Sequence, residues 1–238
     1  MKIIRFLRSL LVLICTPVLT FLTSITALAA MFIFRVSADT AQVLPKYWAR
    51  MVARLAGAIV TVEGREKLIR GTPYIFAANH VSQFDIFALQ GYLNIDFRWL
   101  AKKELFEIPV FGPAMRTAGY IPVDRSRGRQ ALQSINEAAE RIAAGTSVII
   151  FPEGTRSKDG KIHPFKAGAM VLAIKAGVPI VPVAISGTYH ILPKGSLLAQ
   201  PGPITIRIGS PIETKELKNS DKKELAEKLQ QEVARMLD

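Results

Sequence analysis

Seven short apolar runs, at residues 59–62, 74–78, 98–101, 120–123, 147–151, 180–185 and 204–208, alternate along the chain with stretches of helical spacing. Runs of this length bounded by turn residues read as buried strands. Their alternation with helices predicts an α/β fold: a single domain with a mostly parallel or mixed central sheet flanked by helices. Residues 59–238 supply enough chain for one such domain with a substantial core, and no second domain is needed. Residues 1–58 are expected to form a membrane-associated helical anchor ahead of it.

The helical patterns are specific enough to place. Residues 84–93 follow the second run, and residues 129–144 put Leu132, Ile135, Ala139 and Ile142 on one face before Gly145 ends the helix. Asp221 with Glu224 can cap a last helix carrying Leu225, Leu229, Val233 and Leu237. The Pro- and Gly-rich stretch 193–203 reads as a long surface loop.

Two polar blocks follow apolar runs. Asn79-His80-Val81-Ser82-Gln83-Phe84-Asp85 leaves the second run and enters a helix. On an ideal helix His80 and Asp85 would stand roughly 140° apart, so they cannot pair in mid-helix. With His80 just before the helix and Asp85 in its first turn, the carboxylate reaches one ring nitrogen and leaves the other free, which makes an oriented general base. The same two residues also suit a plain helix start, where an acidic side chain complements the dipole.

Phe151-Pro152-Glu153-Gly154-Thr155-Arg156-Ser157 leaves the fifth run. Strands of an open α/β sheet deliver such blocks to one edge, where ligands bind. Gly154 admits close approach of the backbone, Thr155 offers a hydroxyl, and Arg156 a planar fork for two phosphate oxygens. Glu153 is expected to position Arg156. A polar surface turn is the competing interpretation.

Other chemistries fit poorly. The three histidines and one cysteine show no zinc-ligand spacing. The segment from Gly154 to Lys161 is not a P-loop, because Ile162 stands where Ser or Thr is required. No G-x-S-x-G elbow occurs, and Ser82 suits capping better than attack. Cys15 lies in an apolar stretch where a thiolate would be poorly solvated. The net charge of +12 suits nucleic acid or an anionic membrane, but no nucleic-acid-binding motif accompanies it.

The N-terminus argues for the membrane. Residues 9–34 carry no charge and would span about 39 Å as a helix. Lys2, Arg5 and Arg8 before the run and Ala27-Leu28-Ala29 within it also match a secretory signal. A retained anchor is favoured because apolar sequence continues through Phe34. Residues 41–58, with Leu44, Trp48, Val52 and Leu55 on one side and Arg50 and Arg54 on another, read as interfacial.

Four blocks in order resemble those of the glycerolipid acyltransferases, in particular the bacterial 1-acylglycerol-3-phosphate (lysophosphatidate) acyltransferases: 79–85, 119–125, 151–157 and 178–183. The resemblance spans roughly residues 60 to 210. It implies that His80 deprotonates a lysolipid hydroxyl, Asp85 orients His80, and Glu153, Gly154, Thr155 and Arg156 hold the acceptor's phosphate, with Arg125 adding charge. Lys102 and Lys103 resemble a basic segment between the first two blocks and are candidate anion contacts or a solvated pair. The fourth block reads as scaffold. Amides near the His80 turn are candidates to stabilise an oxyanion, without assignment to particular residues.

The implied reaction moves a fatty acyl group from acyl-CoA or acyl carrier protein to lysophosphatidate and yields phosphatidate, with no cofactor and no metal. The implied partners are those substrates and membrane lipids, not nucleic acid. The implied place is the cell membrane, the inner one where there are two, with the catalytic domain facing the cytoplasm. Another lysolipid or glycerol-3-phosphate is the alternative acceptor. A non-catalytic protein that binds anionic lipids is the alternative class.

Overall fold

The computed structural model describes residues 2–124 and 129–237. Among them the chain runs through α1 (Lys2–Phe32), α2 (Ala38–Ala41), α3 (Val43–Ala56), β1 (Ala58–Glu63), β2 (Ile75–Ala78), α4 (Phe84–Tyr92), β3 (Arg98–Lys102), α5 (Phe111–Thr117), β4 (Ile121–Val123), α6 (Arg129–Ala143), β5 (Val148–Ile150), α7 (Ala167–Ala176), β6 (Ile180–Ser186), α8 (Thr188–Ile191), β7 (Gly202–Ile208) and α9 (Lys222–Leu237). All seven expected runs are strands, with ends shifted by one or two residues. They form one sheet in the order β1-β7-β6-β2-β5-β3-β4. Every pairing is parallel except β6 with β7, so the sheet is mixed.

The central strands are apolar throughout because both faces are covered. Along β2 the pleat sends Phe76 and Ala78 into one core and Ile75 and Ala77 into the other. The first core holds Phe84, Phe87 and Leu89 of α4 with Ile149, Val181 and Val183. The second holds Ile142 of α6, Met170 of α7, and Leu229 and Val233 of α9.

α3 departs from the interfacial expectation on one face. Ala49, Val52, Ala53 and Ala56 are completely buried in the first core, while Tyr47 and Met51 stay exposed. Small alanines at helical spacing let α3 lie close against α4: a Cβ on Gly91 would come within 3.2 Å of the Arg50 backbone nitrogen. The helix ends at Gly57, whose φ of 75° is the left-handed cap that a residue with a Cβ resists.

α1 is apolar on its outer side, with Phe6, Leu10, Ile14, Phe21 and Ile25 exposed, and by length and composition Arg5–Phe32 can cross a membrane. Its inner side is tied to the fold. The Thr20 hydroxyl accepts from Trp48 Nε1 at 3.1 Å, and the Ser9 hydroxyl donates to the Ala199 carbonyl at 2.5 Å. The stretch 193–203 is therefore not wholly a surface loop, since Ala199 is buried beneath α1.

α6 corrects a second detail. Ala138, Ala139 and Ile142 are buried, but Leu132, in the helix's first turn, is 52% exposed. Leu229→Ala is therefore expected to cost about 2–5 kcal/mol, and Leu132→Ala less than about 0.5 kcal/mol, in denaturant unfolding of the detergent-solubilised protein. Equal losses at the two sites would contradict this packing.

Candidate active site

β2 and β5 are neighbouring parallel strands, so both polar blocks leave the same edge of the sheet. Asn79 extends the pairing of β2 with β6 past its end: its side-chain amide donates to the Ile185 carbonyl at 3.0 Å and its oxygen accepts from the Ile185 amide at 2.7 Å. The chain then turns sharply at His80. Ser82, one residue before the N-cap Gln83 of α4, accepts from the Phe84 amide at 3.1 Å and donates to the Leu192 carbonyl at 2.8 Å, satisfying an amide at the helix start as expected of it.

Asp85 is fully buried and sits in the first turn of α4. Its Oδ2 accepts from His80 Nδ1 at 2.8 Å and from the amides of Val81 and Ser82 at 2.8 and 2.9 Å. Its Oδ1 accepts from the Thr188 hydroxyl at 2.5 Å. The carboxylate holds the His80 proton on Nδ1, which leaves Nε2 with a lone pair. Phe151 stacks flat on the imidazole, with centroids 3.8 Å apart and an interplanar angle of 11°, and fixes the ring plane.

Glu153 has a different part from either one expected of it. One oxygen accepts from the His80 amide at 2.6 Å and the other from the His163 amide at 3.1 Å, so it joins the two blocks instead of orienting Arg156. The Ser157 amide, donating to the His80 carbonyl at 2.8 Å, makes the second tie. Burial pushes the Glu153 carboxyl above the usual glutamate range, while the two amides pull the other way. The amides of His80, Val81 and Ser82 are thus all committed and are not the oxyanion donors anticipated near this turn.

His80, Gly154, Thr155 and Arg156 open onto a cavity of about 450 Å³. Its remaining wall is largely apolar: Trp99 and Phe151 from the sheet edge, Phe111 and Met115 from α5, and Ala27 from α1. Gly154 has a φ of 78°, a left-handed conformation that favours glycine, and the atom nearest an added Cβ is the mobile end of a side chain, Lys166 Nζ at 2.7 Å. Lys102 lines the cavity, whereas Lys103 is held by Asp124 at 2.7 Å, and that bond raises its ammonium above the ordinary value. Arg125 lies outside the described residues.

Two contributors went unnoticed in the sequence. Thr188 follows the apolar fourth block and reaches Asp85 only because β6 ends beside β2. Lys194, in a Pro-Lys-Gly turn, donates to the Thr155 hydroxyl at 3.2 Å and to the Arg156 carbonyl at 2.7 Å. Their position just after a strand that ends at this edge is the one signal that pointed to them.

The acyltransferase family model matches residues 59–186. A 1-acyl-sn-glycerol-3-phosphate acyltransferase of Cocos nucifera is 39% identical over 166 residues, 69% of this chain and 53% of the relative. One of Saccharomyces cerevisiae is 35% identical over 182 residues, 75% of this chain and 60% of the relative. The chain spans about half the length of the curated relatives it matches. The crystal structure of the 1-acyl-sn-glycerophosphate acyltransferase PlsC from Thermotoga maritima superposes with a TM-score of 0.83 at 29% identity, covering 99% of this chain and 95% of that one.

Glu153→Gln keeps the shape but turns one acceptor into a donor facing an amide, so a loss of about 1–3 kcal/mol is expected. Because the Glu153 proton is held more tightly in the folded state, its contribution to stability is complete below the unfolded glutamate value and fades as pH rises through the raised one. The melting-temperature difference between wild type and Glu153→Gln should therefore narrow as pH rises through that window. A widening gap would contradict the burial argument.

Proposed function

The chain belongs to the acyltransferase family, and on that premise we propose that it transfers a fatty acyl group from a thioester to the free hydroxyl of 1-acylglycerol-3-phosphate, forming phosphatidate. The observation that carries this reading is the convergence of the His80–Asp85 pair and the Gly154–Arg156 loop on one apolar cavity. A base, an anion-binding loop and an acyl-sized hydrophobic slot are the three things the reaction requires. The relatives' names support the acceptor, and the thioester already activates the acyl group, so the chemistry needs no further cofactor.

In this mechanism Nε2 of His80 takes the proton of the acceptor hydroxyl as its oxygen attacks the thioester carbonyl. The tetrahedral intermediate collapses, the carbon–sulfur bond breaks, and the new carbon–oxygen ester bond remains. His80 returns its proton to the departing thiolate. Asp85 holds the imidazole in the required tautomer and stabilises its cationic form. Arg156, Thr155 and Lys102 receive the acceptor's phosphate, with Arg125 as a further cation.

The acyl chain lies in the apolar cavity. Moving a 16-carbon chain through water instead would cost on the order of 12 kcal/mol, which favours a site that opens toward lipid. α1 suits that arrangement because Thr20, Thr23, Ser24 and Ala27 form part of the cavity wall, and a cut after Ala29 would remove them. We place the protein at the cell membrane with its catalytic face toward the cytoplasm. The donor is acyl-CoA or acyl carrier protein.

His80→Ala is expected to lower turnover by roughly 10²- to 10⁴-fold while leaving membrane binding intact. The assay is thiol release from acyl-CoA with lysophosphatidate in detergent, with the lipid product identified by mass spectrometry. Full activity of the variant would remove His80 as the base. Turnover by wild type only with acyl carrier protein, or only with glycerol-3-phosphate, would reassign the donor or the acceptor. Arg156→Ala should raise KM for lysophosphatidate by roughly 10- to 100-fold and leave that for the donor near its original value.

A further inference from the structure

Residues 188–195 form a strap that touches both halves of the site. Thr188 holds Asp85, the Leu192 carbonyl accepts from Ser82, Pro193 forms a bridge with Ser82, and Lys194 Nζ reaches the Thr155 hydroxyl and the Arg156 carbonyl. The first three contacts fix the strap relative to the His80 turn. The fourth extends that fixed frame to the anion-binding loop. Lys194 is half-buried and does not itself line the cavity, whereas Thr155 and Arg156 do.

Donor counting shows what the contact does. A hydroxyl that accepts from an ammonium keeps its own hydrogen available, so Lys194 turns Thr155 into a donor toward whatever sits in front of it. Its second bond fixes the peptide that carries the Arg156 side chain. Among the described residues neither Lys194 nor Arg156 has a carboxylate partner within ion-pair distance. The two nearest acids in sequence have other partners: Glu153 accepts from two backbone amides, and Asp159 from the Ser157 hydroxyl, the Lys161 amide and the His163 ring. Arg156 and Lys194 are thus two cations without a carboxylate ion-pair partner among the described residues, which suits a phosphate monoester with close to two negative charges at neutral pH.

We infer that Lys194 is a positioning residue that sets affinity for the acceptor's phosphate monoester by acting through Thr155 and Arg156. This inference rests on the proposed acyl transfer to a phosphorylated acceptor. It adds a determinant outside the four sequence blocks and gives the strap after β6 a role in substrate selection.

The test compares wild type, Lys194→Met and Lys194→Arg with lysophosphatidate and with 1-acylglycerol, which lacks the phosphate. Lys194→Met should raise KM for lysophosphatidate about 10-fold or more, with kcat within about 3-fold, KM for the acyl donor unchanged and the preference over 1-acylglycerol reduced. Lys194→Arg should restore most of the lost affinity. An unchanged KM overturns the inference. So does a rise for donor and acceptor together with a fall in melting temperature, which would make Lys194 a brace and nothing more.

Inorganic phosphate gives a readout independent of turnover. It should raise the melting temperature of wild type and of Lys194→Arg but not of Lys194→Met. Absence of wild-type turnover with a Lys194-dependent phosphate shift would reject the proposed reaction and keep this inference. Equal shifts in all three proteins would reject the inference alone.

Discussion

The carboxylate of Asp85 organises the turn on which the rest of the site depends. A buried carboxylate costs several kcal/mol unless every lone pair is engaged, and here donors arrive from His80, Val81, Ser82 and Thr188. Those four bonds define the path of the chain out of β2, the start of α4 and the plane of the imidazole. The ring orientation is thus a by-product of satisfying a charge. The charge is stable there because a helix N-terminus and a neighbouring strand end supply donors that did not have to be added for the purpose.

Glu153 repeats the device between the two blocks. By accepting from the amides of His80 and His163 it spans from the β2 turn to the loop that precedes α7, and the Ser157–His80 backbone bond runs alongside it. The His80 turn and the 151–157 block are thereby tied at two points, which would hold the proposed base and anion loop in fixed register. Phe151 then serves both sides, stacking on His80 while it walls the apolar cavity.

The cavity itself is a joint product of the N-terminal helices and the α/β domain. α1 and α5 close over the sheet edge, and the residues of α1 that line the cavity, Thr20, Thr23, Ser24 and Ala27, are small or hydroxylated, with Thr20 and Ser24 bonding back to carbonyls of their own helix. That satisfies their polar atoms without water and keeps the wall compatible with an acyl chain. The outer face of the same helix is apolar as well, and by length and composition the helix can cross a membrane, so α1 looks uniformly hydrophobic although only its inner face meets the protein.

All seven strands, the α/β class, the last helix and both polar blocks were legible in the sequence, because short apolar runs and helical spacing are local properties. The His80–Asp85 pair was legible too, since spacing alone restricts it to a helix start. Tertiary structure decided the rest. Whether the apolar side of α3 meets lipid or protein depends on Gly91 letting α4 approach, and whether Leu132 is core depends on which turns of α6 pack against their neighbours. Glu153 was given to Arg156 because the two are near in sequence, yet its partners are amides brought close by the pairing of β2 with β5 and by the loop before α7. Thr188 and Lys194 reach the site from over 30 residues away, Thr188 across 103 from Asp85 and Lys194 across 39 from Thr155. Patterning along a chain reports what each segment must bury, and only the packed sheet determines which distant donors meet which acceptors.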